Sequence, residues 1–487
     1  MTTEYWAGAR SRQVATRLIV EFTLTLDSPA HLGGGESEEL TDMPLLRDRS
    51  GGGPLLTGAS IAGALRSYLR ERQLGFGQRE TSESLSALLF GAVQNSEVGE
   101  GVQSPLIVED SFGRTSGIEI RDGVRLEPRL RAAADRAKFD VELWRAGTAF
   151  PVRMELCISE SRNSDPEADL RKALVSALWG FIDGSITLGA RKRRGYGRIR
   201  TSGWRVRQYH LTQVDDLAQW LVHGAEPLGL EYAVEPCDLG KVIGAEAAPD
   251  RRRMLKIKAK FGLMGAVLIR SAGSTASVEP DMVHIHSMGA DGVLHPVVPG
   301  TSLAGALRAR ALRIAALHTD RDRAELMIDC LFGSSKAANA DSHEPVASRV
   351  EVSESRIDRG VTNLVQGRVS IDRFTGGARE GRLFNEQPVF GSEDTVLETL
   401  IAVKDPAPWE CGLMILLLKD LWTGDLPIGG EVSVGRGRLV GREARLTLEN
   451  DISIMAATPR GLDVADPSKM LELSVREFVA YCREGCR

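Results

Sequence analysis

Apolar residues alternate with other side chains from Leu18 to Leu26, the period-two pattern of a strand with one buried face. A glycine-rich stretch follows, Gly33-Gly34-Gly35 and then Gly51-Gly52-Gly53. Ser60 then caps a helix whose apolar positions Ile61, Leu65 and Leu69 recur every four residues. Leu106–Val108 and Phe150–Ile158 read as strands. Asp169–Ile182 reads as a helix with Leu170, Leu174, Leu178 and Phe181 on one stripe, and Tyr196–Val206 as a last strand. Strand, helix, strand, strand, helix, strand is the ferredoxin-like arrangement.

The pattern then recurs. Pro54–Arg66 returns as Pro296–Arg308, with Gly58, Ser60, Gly63 and Arg66 matched 242 positions later by Gly300, Ser302, Gly305 and Arg308. Leu89-Phe90-Gly91 returns as Leu331-Phe332-Gly333, Val108-Glu109 as Val350-Glu351, and Gly195-Tyr196-Gly197-Arg198 as Gly435-Arg436-Gly437-Arg438. Landmarks in one order at nearly one offset indicate a tandem duplication. The second copy repeats the elements: a strand near Leu255–Phe261, a helix from Ser302, strands at Arg349–Val352 and Thr399–Val403, a helix near Cys411–Trp422 and a strand at Val434–Leu439. The expected fold class is α+β, with two ferredoxin-like domains at 15–207 and 255–445, a connector at 208–254 and an appended C-terminal extension at 446–487. Arg121–Glu127, matched by Arg368–Ala378, opens a stretch in each domain that reads as a projecting hairpin or an ordinary surface excursion.

Composition narrows the chemistry. At 487 residues the chain exceeds what one core usually serves, in keeping with two domains. No run of eighteen apolar residues is present, so no membrane partner is expected, and Met1–Arg17 lacks the apolar segment of a secretory signal. Six cysteines without a CxxC pair fit a reducing, cytoplasmic setting and argue against a zinc site or disulfide framework. Net charge is −5, so any binding to nucleic acid must use local basic patches.

Three constellations carry candidate chemistry. The glycines and Ser60 or Ser302 at the two helix starts suit either phosphate contact with free N–H groups or an N-cap with tight packing. Arg191, Lys192, Arg193 and Arg194 open a run with eight basic residues and no acidic one between 191 and 207. It reads as a polyanion-facing surface, and Arg436 and Arg438 are its less basic counterpart. Asp42 and Asp281 stand in the loops before the two helices. They are turn-formers, or carboxylates that orient a 2′-hydroxyl or hold a divalent cation against phosphate. His284, His286 and His295 form a weak metal candidate with no match in the first copy. No Walker A, HExxH or Ser–His–Asp pattern is present.

Taken together, His31-Leu32-Gly33-Gly34-Gly35, Asp42-Met43-Pro44, Pro54–Arg66, Phe90-Gly91, the closing Gly-x-Gly-Arg and Arg368–Ala378 resemble the RAMP superfamily of CRISPR-associated proteins. They resemble most the backbone subunits of type III effector complexes, here in the fused double form of type III-D systems. The resemblance implies a modified RNA-recognition fold in each domain, guide and target RNA and other type III effector subunits as partners, and a thumb at about 120–149 and 365–395 that kinks the guide–target duplex. It also implies that Asp42, and less closely Asp281, cleaves target RNA with Mg2+ or another divalent cation as metal ligand. In the second copy Val283 replaces the proline, and Ile269-Arg270-Ser271-Ala272-Gly273 replaces the His-Leu-Gly-Gly stretch. The alternatives are a non-catalytic scaffold of the same complex and a guide-processing ribonuclease relying on His31.

Overall fold

A computed structural model describes residues 14–34, 42–91, 103–126, 133–159, 166–272, 280–334, 346–459 and 461–484. Gly35, Glu127 and Gly273, named above, lie outside the described residues, as does the chain before Val14. The chain divides into two compact units. The first comprises Met1–Glu119, Glu142–Ala190 and Gly197–Arg252, and the second Ile120–Val141, Arg191–Tyr196 and Arg253–Arg487.

In the first unit, β1 (Val14–Leu26) is the centre of an antiparallel sheet. The other elements are α1 (Gly58–Leu74), α2 (Leu85–Phe90), β2 (Leu106–Val108), β5 (Ala149–Ser159), α3 (Pro166–Ile182) and β6 (Ile199–His210); of the hairpin strands β3 (Ile118–Leu126) and β4 (Ala133–Trp144), which come between β2 and β5 in the chain, Ile120–Val141 belong to the second unit. The sheet runs β2-β5-β1-β6, the order of a ferredoxin-like sheet. One face buries Leu18, Val20, Phe22 and Leu24 against Ile61, Leu65 and Leu69 of α1 and Leu174, Leu178 and Phe181 of α3. Phe22 stacks on Trp204 with centroids 4.0 Å apart. The other face is covered as well: Ile19, Tyr209 and Leu228 form a second small cluster, and Glu21 accepts a bond from the Leu228 N–H at 2.9 Å. Residues read as a connector therefore complete this unit, with Leu239, Ile243 and Ala248 also in its core.

The second unit has β7 (Met254–Met264), β8 (Met282–His284), α4 (Gly300–Ala315), α5 (Arg321–Phe332), β9 (Val350–Val352), β10 (Gln366–Ile371), β11 (Ala378–Gln387), β12 (Val396–Lys404), α6 (Pro408–Trp422) and β13 (Arg438–Leu448). Its central strands run β9-β12-β7-β13, the same order as before. Beyond β13 the sheet continues through β14 (Asp451–Thr458) and β15 (Gly461–Ala465), and α7 (Met470–Glu484) follows. The C-terminal extension is part of this core. Phe478 and Cys482 are buried in it, and Trp409 and Tyr481 stack at 4.7 Å. Gly412 of α6 lets α7 approach so closely that a Cβ there would lie 2.7 Å from the Ser474 carbonyl carbon.

Two expectations need adjustment. Thr57, not Ser60, is the N-cap of α1, because the helix starts at Gly58 and the Thr57 hydroxyl accepts from the Ser60 N–H. The strands β2 and β9 correspond with a two-residue shift from the motif alignment. Ser104 and Ser348 each donate to the carbonyl two residues on (Leu106 at 2.8 Å, Val350 at 2.9 Å), which matches Val108 to Val352 and Asp110 to Glu354.

Candidate nucleic-acid interface

The two helix starts are closely packed. Gly58 donates its N–H to Asp110 at 2.7 Å, and a Cβ on it would sit 2.9 Å from the Val108 carbonyl carbon. Gly300 is hemmed in alike by the Arg194 and Val352 carbonyls, and α4 follows Pro299, which has no capping side chain. Ser60 spends its hydroxyl on Thr57 at 2.8 Å, while Ser302 is the third residue of α4. These bonds describe an N-cap and tight packing. Gly63 and Gly305, by contrast, are exposed, with nothing within 4 Å of a Cβ. Arg66 pairs with Glu80 at 2.5 Å and donates to the Gly91 carbonyl at 3.0 Å; Arg308 repeats this with Asp329 and, at 2.6 Å, the Gly333 carbonyl.

The basic run is only partly a surface. Residues 192–194 form a 3-10 turn between left-handed Arg191 (φ 55) and Gly195 (φ 92). Arg191 lies over the Phe139 ring, 4.5 Å from its centroid, and burial holds its guanidinium below the usual arginine range. Arg193 donates to the Ser348 carbonyl. Burial, then the charges of Arg308 and Arg193, lower Arg194 likewise. Lys192 and Arg198 are exposed. Arg436, expected to face a polyanion, is 4% exposed. It pairs with Glu386 at 2.9 Å and Glu431 at 2.6 Å, both of which Arg368 also engages. Burial raises the Glu386 carboxyl. Arg438 is exposed on the strand beyond.

Asp42 and Asp281 are both exposed, and each precedes a methionine placed against a hairpin's returning strand. The Met43 carbonyl accepts from the Glu142 N–H of β4 at 3.2 Å; Met282 is the register partner of Glu386 in β11. Asp281 itself accepts from the Asn385 N–H at 2.8 Å. The loop of Asp42 is pinned from beneath by Glu142, whose carboxylate accepts from the Leu45 N–H at 3.3 Å and from Arg47 at 3.0 Å. Motif reading missed Glu142 and Glu386; pairing the copies at the structural offset would have aligned them. Among the described residues no group of three or more His, Cys, Asp or Glu side chains is placed to hold a metal ion. Each unit offers one loop carboxylate, which does not make a preformed divalent-cation centre.

The histidines serve the fold. His284 accepts from the Ile269 N–H at 3.1 Å and donates to the Val297 carbonyl at 2.9 Å, so both ring nitrogens are used. His286 bonds the His284 carbonyl and His295 bonds Asp291. His31 is buried, with Nδ1 2.9 Å from the Glu142 carbonyl and its ring against Gly33.

Hairpin β10–β11 is largely exposed. Asp372 turns it by accepting the Phe374 and Thr375 N–H groups at 2.9 Å, which leaves Phe374 97% exposed at the tip. Ile371 and Leu383 are also exposed, among Arg373, Arg379 and Arg382. Apolar side chains left in water among arginines mark an interaction surface, and rings beside guanidinium groups suit stacked bases and phosphates. No helix among the described residues is long and apolar enough to cross a membrane.

No curated protein matches the chain. The family model of the RAMP superfamily matches residues 23–200 and 288–440, one stretch in each copy of the repeat and together well over half the chain. That match points to a CRISPR-associated, RNA-binding protein, and on its extent the chain belongs to the RAMP superfamily.

Proposed function

We propose that the chain is a double backbone subunit of a type III CRISPR effector, built by duplication, that binds guide RNA and cuts the paired target beside Asp42 and Asp281. The observation that carries this reading is the matched setting of the two acids. Each is exposed, each precedes a methionine set against the returning strand of a hairpin, and in each case a buried glutamate lies on that strand. The hairpins act as thumbs, and Phe374 is the wedge that enters the duplex. Lys192, Arg198, Arg438 and the hairpin arginines contact phosphates, while sequence is read by guide–target pairing. A loop carboxylate next to a splayed nucleotide accepts a hydrogen bond from its 2′-hydroxyl and turns that oxygen toward the phosphate. His31, buried and tied to a carbonyl, does not favour guide processing.

The test is target RNA incubated with assembled complex and Mg2+ and resolved on a denaturing gel. Asp42→Ala is expected to remove one set of fragments and Asp281→Ala another, with guide binding unchanged. Fragments identical to wild type in both variants would leave the scaffold reading standing and end the catalytic one.

A further inference from the structure

The segment that follows β6 lies outside both stretches matched by the family model, which end at 200 and resume at 288. It also has its own chemistry. From Leu211 to Gly240 it carries six acidic residues and no lysine or arginine. Its helix, Val214–His223, has apolar residues on two sides. The inner side covers the second face of the first unit's sheet. Trp220 packs against the cluster of Ile19 and Tyr209, with the Arg17 guanidinium 4.4 Å from its ring centroid. Asp216 accepts from the His210 N–H at 2.8 Å, and Gln219 accepts from Arg207, which fastens the helix to β6.

The outer side faces water. Val214 is 81% exposed, Leu221 68% and Val222 67%. With exposed Ala218 they stand at i, i+4, i+7 and i+8, a single stripe along the helix. Leu230, on the 3-10 turn that follows, is 78% exposed. The inner side already serves the fold, so these outer side chains add nothing to the unit's core. Apolar groups left in water in this way mark an interaction surface.

Charge decides the occupant. Asp215, Glu226, Glu231 and Glu235 are exposed along the same segment. Acids without a lysine or arginine among them repel an RNA backbone and an anionic membrane surface, and they complement a basic protein segment. An apolar stripe about two turns long is matched in shape by another helix laid along it, with cations placed over the flanking acids. We propose that the outer face of the helix Val214–His223 is a docking site for a basic amphipathic helix of a second protein. This claim depends on neither cleavage nor guide binding.

The experiment uses the full chain, nuclease-treated, and a fluorescently labelled synthetic helix of leucine and lysine with one apolar and one basic face. Anisotropy reads the binding. The peptide is expected to bind, more weakly as salt rises, and the same helix with glutamate in place of lysine is expected not to bind. Leu221→Lys and Val214→Lys each put a cation at one end of the stripe, and each is expected to weaken binding by about tenfold or more. Leu221→Ile is expected to keep it. Circular dichroism and melting check that the variants fold, which the exposure of both positions favours. No binding to wild type overturns the proposal, as does equal binding of the glutamate helix or an affinity that both lysine variants retain. Self-association of the wild type in sedimentation, abolished by Leu221→Lys, overturns it too, because the face then belongs to a second copy.

Discussion

The glycines at the helix starts allow a prediction with an internal control. In Gly58→Ala the added methyl would lie 2.9 Å from the Val108 carbonyl carbon and nearer still to its oxygen. These are backbone atoms of a strand paired to Met154, so they cannot swing aside as a side chain would. Overpacking of this kind costs about 1–3 kcal/mol. Displacing Gly58 also loosens its bond to Asp110, of a charge-assisted type that contributes about 1.5–3 kcal/mol. A loss of roughly 2–4 kcal/mol follows. Gly63→Ala, one helical turn away, adds a methyl with nothing within 4 Å and removes backbone freedom from the unfolded chain, a gain of about 0.5–1 kcal/mol. Gly300 and Gly305 are expected to divide the same way. Urea titration followed by tryptophan fluorescence reads this directly. With a slope of about 3 kcal/mol/M, Gly58→Ala moves the first-unit midpoint down by roughly 1 M and Gly63→Ala moves it up by a few tenths. Equal midpoints for the two variants, or a Gly58→Ala protein as stable as wild type, would refute the packing argument.

Two further outcomes are expected. Arg121→Met leaves Glu354 unpaired in a site where the two side chains are 4% and 9% exposed, and the second unit should lose about 3–5 kcal/mol by thermal melting. Adding Glu354→Met should restore most of it, which a simple packing defect would not allow. His284 is held down to about 4, first by burial, so the folded state stays neutral where the unfolded chain, near 6.5, takes up a proton. The folded state binds fewer protons in that window, so stability is full above pH 6.5 and falls by up to roughly 3 kcal/mol as pH drops toward 4. Comparing wild type with His284→Gln at pH 7 and pH 4.5 checks this, and an unchanged pH dependence would contradict it.

The repeated strand and helix order was legible because each element shows its own period: two in Leu18–Leu26, about four in Ile61, Leu65 and Leu69. Burial of Ile19 and Tyr209 was not, because covering the sheet's second face depends on where residues 208–252 fold back, a long-range matter no local period encodes. Phe478 failed to register for the same reason: α7 reads as an ordinary amphipathic helix until Gly412 on α6 admits it. Asp42 and Asp281 stood out as loop acids. Glu142 and Glu386, inside alternating strands, looked like any outward-facing glutamate.

The basic run shows how one pattern of charges can serve two ends. Lysine-rich runs keep their charge in water, but a guanidinium can lie flat on a ring or donate to a carbonyl while its stem packs. Arg191 on Phe139 and Arg193 at the Ser348 carbonyl do this, so charge density overstated the surface offered to RNA. The equivalent position in the second copy makes the point from the other side. Tyr196 answers Arg121, whose guanidinium stands 5.4 Å from the ring centroid. Where the tyrosine becomes Arg436, a buried cation demands carboxylates, and Glu386 and Glu431 supply them. An aromatic paired with a cation and a cation paired with two anions are two solutions for one buried place at the base of a turn. They explain why the glycines of Gly-x-Gly-Arg recur in both copies while the residue between them does not.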